Sequence, residues 1–187
     1  INYLSKKFPG YGFLSEETGQ DRVHPEYLWV LDPLDGTTNF SLGNHFFNVS
    51  LALVHNSEII LGVIWAPFFD QLFVAEKGKG TTLNNKKIKV SNKKKITDAI
   101  VDFGYTYKES SRNTHMAKTH AYLLTKTEHS NNLGAAALEL VWVAMGRLEG
   151  YILPHTKPWD IAAGVILIQE AGGKVTDFKG VPYKFTT

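Results

Sequence analysis

Trp29-Val30-Leu31-Asp32-Pro33-Leu34-Asp35-Gly36-Thr37-Thr38-Asn39-Phe40 decides how this chain is read. An apolar run that reads as a buried strand leads directly into two carboxylates, a proline, a glycine and two threonines. Two acids held close repel each other unless a cation lies between them. Acids at i and i+3 with a carbonyl between them offer oxygen ligands only, which suits Mg²⁺ better than zinc or copper. Directly afterwards, free backbone N–H groups at Gly36 and Thr37 would suit a phosphate. Taken alone, Asp32-Pro33 and Asp35-Gly36 are also turn formers, and Asp35-Gly36 would suit a hairpin. A hairpin would return an alternating strand at once, whereas Thr37-Thr38-Asn39-Phe40 opens with helix-capping residues. Cation and phosphate at one strand end read as metal-assisted phosphate chemistry.

Upstream, Ile1 to Phe8 reads as the end of a helix stopped by Pro9-Gly10. A chain that opens at Ile1 inside such a helix reads as a piece of a longer protein. Tyr11 to Thr18 is expected to be a short strand running into an acidic turn. Tyr27 to Leu31 is expected to be a buried strand ended by Asp32-Pro33. Downstream, Phe46 to Val54 alternates, with Phe47, Val49, Leu51 and Leu53 on one side and Asn48 and Ser50 on the other. Phe46-Phe47 is read as core rather than as a sugar-stacking pair. Ile59 to Trp65 and Leu72 to Ala75 continue a meander, with turns at Asn56-Ser57, Gly78-Lys79-Gly80 and Asn84-Asn85. Lys87 to Val90 and Ile96 to Phe103 are further expected strands.

Residues 105 to 130 are polar, with a weak helical stretch around Met116 to Leu124. Leu138, Val141, Met145 and Leu148 recur at helical spacing, predicting a helix over Gly134 to Leu148. Trp159 to Ala171 is a second helix, ended by Gly172-Gly173. Strands first and mixed elements later predict a layered α+β architecture of two lobes, 1–104 and 105–187, forming one catalytic unit.

With 187 residues, 43% hydrophobic and 20% charged, the chain is long enough for a sizeable core. A net charge of +2 is too mild to argue for nucleic acid, and the lysines at 86, 87, 89 and 93 to 95 read as a solvated hairpin and its flank. The absence of cysteine excludes disulfides, thiolate zinc sites and a cysteine nucleophile, and fits a reducing, cytoplasmic setting. No apolar run approaches the roughly 18 residues of a membrane span. The histidines at 24, 45, 55, 115, 120, 129 and 155 form no pair at ligand spacing.

Two further acids carry open readings. Glu16 and Glu17 could be no more than an exposed acidic turn. Asp160 precedes the apolar face of a helix, and capping that helix would account for it.

Together these segments resemble the inositol monophosphatase family of magnesium-dependent, lithium-sensitive sugar phosphatases. The resemblance rests on Asp32-Pro33-Leu34-Asp35-Gly36-Thr37, on Trp159-Asp160-Ile161-Ala162-Ala163-Gly164, and on Glu16 upstream in an acidic pair. It extends through Phe73 to Gly80, the Asn84-Asn85 turn and Gly134 to Leu138, and so covers nearly the whole chain. It implies a layered αβαβ sugar-phosphatase fold whose N-terminal helices are missing here, and a homodimer. It implies two or three Mg²⁺ per site: Glu16, Asp32 and the Leu34 carbonyl on one ion, Asp32, Asp35 and Asp160 on a second, and a weaker third near Glu16. It also implies that Thr37 orients and helps deprotonate the attacking water, while the N–H groups of Gly36 and Thr37 hold the phosphate of a small phosphorylated polyol or sugar.

Three departures from the family pattern bear on function. The family takes an aspartate that pairs with the signature threonine from an earlier helical segment, and nothing before Glu16 supplies it. Inositol-specific members carry an acid where Leu153 stands, seven positions before Asp160. Ala135 occupies a place where a hydroxyl residue is common, leaving the Ala136 N–H as the substrate contact of that segment. Fructose-bisphosphatase, nucleotide 3′-phosphatase and NADP phosphatase activities therefore stand as alternatives, with a non-catalytic scaffold as another.

Overall fold

The computed structural model describes residues 1–21, 25–104 and 110–186, with residues 110–115 by backbone alone. Its main sheet is built around β3 (Tyr27–Asp35), which packs antiparallel to β4 (Asn48–His55) and parallel to β1 (Gly12–Ser15). β2 (Gly19–Gln20) borders β1. β5 (Glu58–Ala66), β6 (Gln71–Glu76), β7 (Gly80–Leu83) and β8 (Lys86–Ile88) extend the other side as an antiparallel meander. The order is β2-β1-β3-β4-β5-β6-β7-β8. Asn56-Ser57 and Asn84-Asn85 make the tight turns with positive φ at both residues, at 49° and 65° and at 47° and 64°. Asparagine tolerates that region better than most side chains, and the paired left-handed geometry matches the twist of a hairpin.

A second, parallel sheet has the order β10-β9-β11, from β9 (Ile100–Phe103), β10 (His129–Asn131) and β11 (Gly150–Ile152). α1 (Asn2–Lys7) precedes the main sheet, the five-residue α2 (Thr37–Ser41) follows β3, and α3 (Ser110–Leu124) precedes β10. α4 (Ala136–Ala144) and α5 (Pro158–Glu170) pack on each other; α5 lies across β3 to β7 and α4 also meets β11. The helix pair thus separates the two sheets, giving the expected layered α+β fold. Gly164 permits the close helix contact, because a Cβ there would stand 2.4 Å from Leu140 Cδ1. Among the described residues no helix is long and apolar enough to cross a membrane.

Three expectations need correction. β3 does not stop at Asp32-Pro33 but runs through the proline to Asp35, because a bulge relieves the ladder there. The alternation of β4 is as expected, and its polar side is the more buried: Asn48, Ser50, Ala52 and Val54 face the core. Ile96 to Asp98 is a 3₁₀ turn, and only Ile100 to Phe103 is strand. The helix expected to reach Leu148 ends at Ala144, with Gly146 left-handed at φ 74° after it. His24 and the side chain of His115 lie outside the described residues, as does the start of the polar stretch at 105 to 109.

Candidate metal and phosphate site

Across the β3–β4 ladder Asp32 pairs with Ser50 and Asp35 with Asn48. One extra residue on β3 is a bulge, and it brings both acids to the core-facing side of the sheet. Asp32 is 2% exposed, and its Oδ1 accepts the Leu34 N–H at 2.9 Å. Burial, then the neighbouring Asp35, push its carboxyl up to about 7, against the Leu34 hydrogen bond; Glu16 and Asp160 add to the rise.

Asp35 closes a longer circuit. Its Oδ2 accepts from Asn48 Nδ2 at 2.7 Å and from the Ala137 N–H at 2.8 Å, and its Oδ1 accepts from the Ala136 N–H at 3.2 Å. α4 has no side-chain cap of its own at Ala135, so Asp35 satisfies its first-turn donors from another element. The Ala136 N–H, expected as a substrate contact, donates to Asp35 Oδ1 in this structure. Burial pushes Asp35 up to about 6, with the Asn48 and Ala137 hydrogen bonds opposing.

Asp160 sits in the first turn of α5, where its Oδ2 accepts the Lys157 N–H at 2.7 Å and the Thr156 hydroxyl at 3.2 Å. The capping role read from the sequence is thus present. Burial raises its carboxyl, and these hydrogen bonds oppose the rise. Glu16, largely exposed in the turn after β1, is raised by partial desolvation, then by Asp160 and Glu17, with a hydrogen bond to Asp32 opposing the rise. Among the described residues no three acids or histidines converge into a ready-made metal cage. Asp32, Asp35 and Asp160 are each turned toward local donors. What Glu16, Asp32, Asp35 and Asp160 share is a mutually repulsive field. Hard oxygen donors in that condition fit a divalent ion such as Mg²⁺.

Gly36 caps α2 in the left-handed conformation, φ 85° and ψ 36°. A Cβ there would lie 2.7 Å from the Phe46 carbonyl oxygen and 3.0 Å from Ala135 Cβ, so both conformation and space call for glycine. Thr37 begins the helix and is exposed. Asn39 donates through Nδ2 to the Leu133 carbonyl at 2.7 Å, tying α2 to the loop before α4. Beside these elements lies a cavity of about 380 Å³ lined by Asp35, Asn39, Ala136, Tyr151, Leu153 and Asp160, among others. Phe46 packs edge-on against Trp142, in keeping with a core role.

Glu139, on the same cavity, had no place in the sequence reading. It is 1% exposed, accepts the Leu133 N–H at 3.1 Å and shares a hydrogen bond with the Tyr151 hydroxyl. A lone acid inside the apolar run Ala136 to Ala144 was the available signal. In the sequence Asn48 stands out only as part of one side of an alternating strand.

A sequence model of the inositol monophosphatase family matches residues 1–187. The Nus factor SuhB of Xylella fastidiosa is 42% identical over 180 residues, covering 96% of this chain and 65% of that protein. An inositol-1-monophosphatase of Mesorhizobium japonicum is 39% identical over 178 residues, covering 95% and 67%. The chain thus spans about two thirds of the length of these relatives. The solved inositol monophosphatase of Anabaena (Nostoc) sp. PCC 7120 superposes with a TM-score of 0.91 at 39% identity, covering 98% of this chain and 73% of that one.

Proposed function

The chain belongs to the inositol monophosphatase family, and from that premise we propose that it is a magnesium-dependent phosphomonoesterase acting on inositol monophosphate or a related small sugar phosphate. The observation that carries this reading is the bulge that turns Asp32 and Asp35 to one face, beside Asp160 and directly before Gly36-Thr37.

Glu16, Asp32 and the Leu34 carbonyl would hold one ion, and Asp32, Asp35 and Asp160 a second. Bound magnesium supplies Lewis acidity toward water and toward the ester oxygen. The chain's own part is positioning. The first-turn N–H groups of α2 have no partner within the helix and donate to the phosphate oxygens, with Gly36 turning the backbone into place. The Thr37 hydroxyl orients the attacking water. The leaving alcohol occupies the cavity along Tyr151 and Leu153. Residues 1–104 and 105–187 act as one catalytic unit, since Asp160 and Ala136 come from the second half. With leucine at 153 the wall offers no carboxylate there to grip ring hydroxyls, so the substrate range extends to other small phosphate esters.

The test is phosphate release from inositol 1-phosphate by the protein at its natural length, with and without Mg²⁺ and then with Li⁺. Mg²⁺-dependent release suppressed by Li⁺ is expected. No release from this ester, fructose bisphosphate, a 3′-phosphonucleotide or NADP would leave a scaffold without turnover.

A further inference from the structure

Asn48 is fully buried on the core face of β4, yet its amide is only half satisfied. Nδ2 donates to Asp35 Oδ2 at 2.7 Å, while Oδ1 is buried with no hydrogen-bond partner among the described residues. The reverse orientation would set the amide oxygen against a carboxylate oxygen, so the nitrogen must face Asp35. A buried polar group with one orphaned end is a poor stabiliser, and an apolar side chain would serve the core better. What the amide accomplishes is therefore to be sought at Asp35.

There the two carboxylate oxygens are loaded unequally. Oδ2 takes two donors, Asn48 Nδ2 and the Ala137 N–H at 2.8 Å. Oδ1 takes only the longer Ala136 bond at 3.2 Å. Two donors fill the acceptor sites of Oδ2 and fix the rotation of the carboxylate, which leaves Oδ1 with an open lone pair. Resting on the metal-dependent reading above, the geometry points to Asn48 as a positioning residue that locks Asp35 with Oδ1 available to a divalent cation. Without the amide, Asp35 keeps its two backbone donors, one on each oxygen, but Oδ2 regains an open lone pair and Oδ1 is no longer singled out for the cation.

The experiment is Mn²⁺ titration of the full chain without substrate, followed by loss of the free-ion paramagnetic resonance signal, together with the melting temperature of the metal-free protein. Asn48→Ala and the volume-filling Asn48→Leu are compared with the wild type. Mn²⁺ affinity is expected to fall roughly tenfold or more, while the metal-free melting temperature of Asn48→Leu is not lowered. Mn²⁺ binding as tight as wild type in either folded variant overturns the assignment. So does a weakened affinity matched by a parallel loss of metal-free stability in both variants, the mark of a merely structural residue. No Mn²⁺ binding by the wild type would remove the proposed metal site itself, and the role of Asn48 with it.

Discussion

Asp32 and Asp35 stand three residues apart on β3 yet face the same side of the sheet, opposite Ser50 and Asn48, which are two apart on β4. In a regular strand an odd separation sends side chains to opposite faces. The bulge removes that conflict and turns a turn-forming sequence into a pair of acids with a common field.

Asp35→Asn tests the pair directly. Asparagine has one acceptor oxygen where Asp35 receives three donors, so an amide NH₂ would meet at least one N–H. Phosphate release is expected to fall by about 1000-fold, with weaker Mg²⁺ binding by calorimetry. Retained turnover would remove Asp35 from the proposed metal site.

Gly36→Ala introduces a Cβ at φ 85°, 2.7 Å from the Phe46 carbonyl oxygen. The left-handed backbone alone costs about 1–2 kcal/mol for a side-chain-bearing residue. Urea unfolding should show at least that loss, accompanied by a higher KM for the phosphate ester. An unchanged unfolding midpoint would mean that the chain passes this corner differently.

Leu153→Glu places a carboxylate on the cavity wall. Hydrogen bonding to a ring hydroxyl should then improve kcat/KM for inositol 1-phosphate relative to glycerol phosphate by about tenfold. A ratio that does not move would assign substrate choice to another part of the wall.

Glu139 gives a pH dependence. Burial raises its carboxyl from 4.5 to about 7, against the Leu133 N–H and with Asp102 adding to the rise. Between those values the unfolded chain is ionised while the folded one stays protonated, so the folded state binds more protons and stability falls as pH rises. The contribution is fully present below 4.5 and is lost as pH passes through about 7. Glu139→Gln should remove on the order of 2–3 kcal/mol of that slope, read as the difference between the two proteins in urea titrations at pH 5 and pH 8. Parallel stability profiles would contradict the raised value.

The hairpins at Asn56-Ser57 and Asn84-Asn85, the long helix ending at Gly172-Gly173, and the acids beside Gly36-Thr37 were legible from the sequence. Turn chemistry and helical periodicity are properties of a few consecutive residues, and local sequence carries them. The strand passing through Pro33, the burial of Asn48 and Ser50 on the polar side of β4, and the place of Glu139 were not legible. Each depends on what stands across the sheet or above it. The capping of α4 by Asp35 joins residues 101 and 102 positions apart. By itself the sequence determined which acids and which glycine stand together along the chain, and the family they belong to. Only the tertiary structure decided which way those acids face and which donors hold them, because a bulge register and a helix end packed on a distant strand are fixed by burial and hydrogen-bond satisfaction across the whole fold.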